Sequence, residues 1–193
     1  MKFRKVFYIG RFQPPHLGHV ETVKYALKFC DRVVIGIRDT KLSLENPLTT
    51  HERVECWRRI VVDEGIEHRV EIKVVPDFEK VELPIEDKVI FDLNHPLIRW
   101  GLQVVEVLGV DPRYDAFIGN KPPMVLTFNL LGFIVIPTFR SVYAIKGIKI
   151  VSASKIRNSI LSGSNEWKNY VHKSIVEYLE NIVKLRDRLT QLS

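Results

Sequence analysis

Cysteine is scarce in this 193-residue chain: only Cys30 and Cys56 occur, far apart and without a C-x-x-C pair. That excludes a disulfide framework or a cysteine-built metal or redox centre, and buried reduced thiols on two different apolar helix faces are expected instead. No apolar run approaches the roughly 18 residues of a membrane span. Met1-Lys2-Phe3-Arg4-Lys5 is basic, but the apolar run behind it ends quickly in Gly10-Arg11. It is too short for a signal peptide, so a cytoplasmic location is expected. Linkers, internal repeats and low-complexity tracts are missing. Long Lys/Arg runs and basic–aromatic repeats are missing too, so the formal net charge of +6 favours small polyphosphates over nucleic acid as partners.

What the chain has is alternation. Val6-Phe7-Tyr8-Ile9 and Arg32 to Ile37 read as buried strands, with a helix between them that ends near Cys30. Thr49 and Glu52 form a capping box that opens a helix through Glu64, stopped by Gly65. Val70 to Val75 alternates as a strand, whereas residues 76–93 carry no legible pattern. Asn94 caps a helix with Pro96 in its first turn, ending at Gly109. Asp115 to Ile118 is a strand, Lys121 to Leu131 a helix and Phe133 to Ile136 a strand. The expected fold is α/β: a doubly wound, mostly parallel, Rossmann-like sheet of about five strands. Residues 1–163 form that domain. Residues 164–193 form a C-terminal helical extension packed on it, with Val171, Ile175, Leu179, Ile182 and Leu189 as its apolar stripe.

The stretch that carries chemistry is Gly10-Arg11-Phe12-Gln13-Pro14-Pro15-His16-Leu17-Gly18-His19. Two prolines delay the helix to about residue 16, so its first turn offers backbone N–H groups beside His16 and His19, an arrangement that attracts anions. A second element, Ser152-x-Ser154-x-x-Arg157, sets two hydroxyls and a guanidinium on another helix start. Arg grips phosphate oxygens in a bidentate way that Lys cannot. Taken alone, each motif also reads as a histidine pair or a helix cap with a surface Arg.

Together, and in this order, they resemble the G-R-F-Q-P-x-H-x-G-H block and the S-[GS]-T-x-x-R element of the nucleotidyltransferase α/β phosphodiesterase superfamily. The form is that of archaeal-type nicotinamide mononucleotide adenylyltransferases. Leu42-Ser43, Asn46 to Thr49, Glu52-Arg53, Pro76-Asp77, Ile118-Gly119-Asn120 and Asn165-Glu166-Trp167 are similar to further segments of that family. The chain departs from it at Arg38-Asp39, where Gly-Ser is usual, and at Glu45, where a basic residue is common. The loop there is shorter and the region 81–111 longer.

The resemblance implies attack of an acceptor phosphate on the α-phosphorus of ATP with loss of pyrophosphate. It implies His16, His19 and Arg157 as catalytic groups. It also implies Gly10, Arg11, Phe12, Gly18, Gly119, Asn120, Ser152 and Ser154 around ATP. Arg38, Asp39, Asp77 and Trp100 are the acceptor-side candidates, Trp100 being either a stacking ring or a core residue. Mg2+ is expected on the ATP phosphates, with no protein cage, and a homo-oligomer is expected. The acceptor stays open between nicotinamide mononucleotide and a flavin mononucleotide, pantetheine phosphate or cytidylyl-type substrate, and a nucleotide-binding sensor without turnover is the remaining reading.

Overall fold

Strand β1 (Phe3–Gly10) is apolar on both faces: Val6 and Tyr8 enter one core, Phe7 and Ile9 the other. A strand buried twice needs cover on both sides, the condition that parallel sheets meet with crossover helices. In the computed structural model, which describes residues 2–78, 94–138, 152–182 and 184–192, β1 lies at the sheet centre. It pairs in parallel with β2 (Cys30–Arg38) on one side and β4 (Asp115–Ile118) on the other. Outside these run β3 (Val70–Val75) and β5 (Val135–Ile136), giving the order β3-β2-β1-β4-β5, parallel throughout.

One face is covered by α1 (Leu17–Ala26), α2 (Thr50–Asp63), α5 (Ala153–Leu161) and the C-terminal α6 (Val176–Asn181) and α7 (Leu185–Gln191). The other is covered by α3 (Pro96–Leu108) and α4 (Pro122–Leu130), where Phe117 of β4 stacks on Phe128 at 3.6 Å between centroids. The chain leaves β1 toward β2 and β3, then returns to β4 on the opposite side. That reversal opens a crevice at the carboxyl ends of β1 and β4, where ligands bind in open α/β sheets.

The doubly wound sheet is the one the alternation predicts, and Thr49–Glu52 forms the expected capping box. Cys30 departs from expectation: α1 stops at Ala26, and Cys30 opens β2 with its thiol donating to the Ala26 carbonyl. A buried, small apolar residue suits either element, so periodicity could not place that boundary. His95, not Asn94, caps α3, because Pro96 occupies the first helical position and the cap is the residue before it. β5 is two residues long, since Phe133 is spent closing the end of α4, its N–H on the Phe128 carbonyl. The C-terminal stripe is buried throughout. It is cut into 3-10 turns at Glu166–Asn169 and Lys173–Ile175 ahead of α6, and Lys184 precedes α7 at φ 39°.

Candidate active site

Between β1 and α1, Gly10 to His16 make a sharp loop whose shape is set from below. Phe12 takes a left-handed φ of 52° and turns its ring into the core, edge-on to Tyr8, Trp57 and His19. A Cβ on Gly10 would sit 2.9 Å from that ring, so only glycine fits there. Phe12, expected near ATP, is 3% exposed and edge-on to His19 while still contributing to the cavity lining.

His16 is the residue before α1, and His19 sits in the first turn with its ring stacked on that of His16 at 3.6 Å. The His16 N–H donates to His19 Nδ1 at 3.2 Å. A ring nitrogen that accepts carries no proton, so in the neutral imidazole Nε2 holds the hydrogen and is a donor. The helix start is less open than its sequence suggests. The Leu17 N–H is taken by the Tyr170 carbonyl at 2.9 Å and the His19 N–H by the His16 carbonyl at 2.8 Å. A Cβ on Gly18 would lie 3.2 Å from the His16 ring, so glycine preserves the imidazole as well as the space above the turn.

The second element faces the first. Ser152 caps α5 by accepting the Lys155 N–H, which leaves its own O–H to donate. Arg157 donates from Nη1 to the Gln13 carbonyl at 2.9 Å and from Nη2 to Ser154 Oγ at 3.4 Å. Burial, and next the like charge of Arg11, hold its guanidinium below the ordinary value, with Glu45 opposing. Arg11 pairs with Glu45 at 3.0 Å and reaches Asn46 Oδ1. Gly119 closes against Met124, whose Cε would be 1.9 Å from a Cβ there. His16, His19, Arg11, Glu45, Gly119, Ser152, Ser154 and Arg157 line a cavity of about 680 Å³, together with Asn120, Asn169 and Tyr170. Two imidazoles, two guanidiniums and several hydroxyls around one crevice suit a polyphosphate.

The acceptor-side candidates are not among the lining residues. Arg38, at the end of β2, is paired with Asp77 and lies 3.9 Å from the Phe78 ring centroid. Asp39 accepts from the Thr50 hydroxyl. Trp100 is a core residue, 3% exposed, with its indole N–H on the Pro76 carbonyl at 2.8 Å, so its ring presents no stacking face. Part of the longer region 81–111, residues 81–93, lies outside the described residues.

Four residues outside the expected site set also shape the crevice. Arg53 is fully buried and donates to the carbonyls of Arg11, Arg38 and Thr49 and to the Thr50 hydroxyl. Burial pushes it down to about 10, against the pull of Asp39 and Asp77. The signal was available, because Arg53 shares a helix face with Cys56, Trp57 and Ile60 at i+3, i+4 and i+7. The buried Gln13 amide pairs with both the N–H and the carbonyl of Leu48, fastening the loop that carries Glu45. Asn169 and Tyr170 come from the C-terminal stretch, and no spacing rule links residue 170 to the start of α1.

Residues 7–159 match the cytidylyltransferase-like family model. The chain is 34% identical over 191 residues to the nicotinamide-nucleotide adenylyltransferase of Archaeoglobus fulgidus, covering 95% of this chain and 96% of that protein. It is 32% identical to the Methanolobus tindarius protein of the same name, covering 93% and 89%. Among solved structures it resembles a bifunctional NMN adenylyltransferase/ADP ribose pyrophosphatase from Francisella tularensis, with TM-score 0.68 and 16% identity. That likeness covers 97% of this chain and about half, 52%, of the larger protein. A putative nicotinate-nucleotide adenylyltransferase from Vibrio parahaemolyticus gives TM-score 0.56 at 17% identity, with 97% of both chains covered. With the crevice at the sheet reversal and both elements on its walls, the chain belongs to the cytidylyltransferase-like family and, within it, to the nicotinamide-nucleotide adenylyltransferases.

Proposed function

We propose that the protein transfers the adenylyl group of ATP to nicotinamide mononucleotide, forming NAD and releasing pyrophosphate. The observation that carries this reading is the convergence of the stacked His16–His19 pair, Arg11 and Arg157 on one crevice. An acceptor phosphate is already ionised at neutral pH, so no protein base is needed, and catalysis rests on positioning and on stabilising developing charge. His19 Nε2–H and His16 answer the charge that grows at the α-phosphate. Arg157, with the Ser152 and Ser154 hydroxyls, holds the departing pyrophosphate. Arg11 joins it on giving up Glu45. Mg2+ enters with ATP as part of the substrate. The donor set suits that role, because cations and hydroxyls dominate the crevice and its two carboxylates, Glu21 and Glu45, already face Lys24 and Arg11.

The test is the purified protein with ATP, Mg2+ and nicotinamide mononucleotide, reading NAD and pyrophosphate together. Equimolar formation of both is expected. Pyrophosphate formed only with a flavin mononucleotide, pantetheine phosphate or cytidylyl-type partner would replace the acceptor, and bound ATP with no product from any acceptor would make the protein a sensor.

A further inference from the structure

β4 and β5 run in register with Ile118 opposite Ile136, and the Gly119 N–H donates to the Ile136 carbonyl at 2.9 Å. Two residues beyond, Asn120 and Thr138 leave the sheet as neighbours at its carboxyl end, and both line the cavity. Thr138 is 4% exposed, yet its Oγ1 has no hydrogen-bond partner among the described residues. A buried hydroxyl left unmade lowers stability, and a valine of the same shape would avoid that loss. Such an atom in a cavity wall is explained when a ligand completes it.

We infer that Thr138 is a specificity residue whose Oγ1 hydrogen-bonds the nucleoside part of ATP. The inference rests on the adenylyltransferase reading above. The anionic end of the nucleotide is claimed by Arg11, Arg157, Ser152 and Ser154 at the two helix starts. The β4–β5 wall meets the cavity with the Asn120 amide and the Thr138 hydroxyl, which suit neutral polar groups, and with Lys121 one residue beyond the amide. A hydroxyl both donates and accepts, so a ribose hydroxyl or an edge of the purine can complete it. Sites that hydrogen-bond a substrate group discriminate strongly against its absence, because their own polar atom is then left unpaired.

The experiment compares the wild type with Thr138→Val by calorimetric titration of ATP, 2′-deoxy-ATP and 3′-deoxy-ATP, with nicotinamide mononucleotide titrated separately and thermal midpoints recorded. The variant should bind ATP about tenfold more weakly, with a thermal midpoint equal to or above wild type. If one deoxy analogue binds both proteins alike, the partner is that ribose hydroxyl. If the difference persists with both, the partner is on the base. ATP affinity unchanged within twofold overturns the inference, as does a loss confined to nicotinamide mononucleotide. A lowered midpoint with unchanged ATP affinity overturns it too, by making the hydroxyl structural. Binding is read without turnover, so a protein that binds ATP in this pattern but makes no NAD defeats the proposed reaction and leaves the Thr138 result standing.

Discussion

Arg157, on α5, and Arg38, at the carboxyl end of β2, are held differently. Arg157 is anchored through the Gln13 carbonyl and the Ser154 hydroxyl, both neutral, so its charge remains for a ligand. Arg38 is anchored by the Asp77 carboxylate and covered by Phe78, so its charge is already answered inside the protein. Arg11 stands between the two cases, anchored by a carboxylate, Glu45, that is itself half exposed on the cavity wall. The nature of the anchor therefore separates a cation whose charge the protein leaves unanswered from one that a carboxylate already answers.

The strongest way to break this contrast is truncation at the nucleotide end. His19→Ala and Arg157→Ala should each lower kcat/KM by roughly 10²- to 10⁴-fold, about 3 to 5 kcal/mol. The His19 loss should fall mainly on kcat, and the Arg157 loss on the KM for ATP as well. Steady-state kinetics on both variants checks this, and wild-type turnover in either would remove that residue from the mechanism. Arg157→Ala also frees the Gln13 carbonyl, so some loss of stability should accompany it.

Arg53 gives the next largest effect. Arg53→Met takes the side-chain donor from three backbone carbonyls, of which those of Arg38 and Thr49 keep a backbone N–H, and should cost about 1 to 3 kcal/mol in denaturant unfolding. Arg53→Lys should recover only part of this, because an ammonium cannot reproduce the planar fork. The smallest effect is the sharpest for the comparison. Glu45→Gln releases Arg11 from an exposed pair worth about 0.5 to 1 kcal/mol, so the KM for ATP should fall about two- to fivefold. Asp77→Asn, releasing Arg38 away from the cavity, should leave that KM within about twofold of wild type. Equal shifts in the two variants would erase the distinction drawn here.

Much of this was legible beforehand. Strand and helix order followed from periodicity, and both phosphate elements are contiguous in sequence, so their residue types and spacing were visible. What escaped depends on long-range contacts. The signature shows Phe12 but not its left-handed backbone, which turns the ring toward Tyr8 and Trp57 at the floor of the cavity. Trp100 was ambiguous because a large aromatic serves core and base equally well, and burial decided it. Thr138 and Tyr170 belong to no motif. They reach the cavity through strand register and through the return of the C-terminal stretch, which local spacing cannot report.

That return has a consequence for the order in which the protein becomes complete. The Leu17 N–H at the start of α1 is satisfied by the Tyr170 carbonyl, and the ribosome makes the two about 150 residues apart. At about 5 to 20 residues per second, the histidine turn emerges roughly 8 to 30 seconds before its partner. A nascent chain thus carries its first signature early but lacks one wall of the crevice until its C-terminal stretch is free to fold back. Among the described residues, the wall that Asn169 and Tyr170 supply is therefore the last part of the crevice to be made.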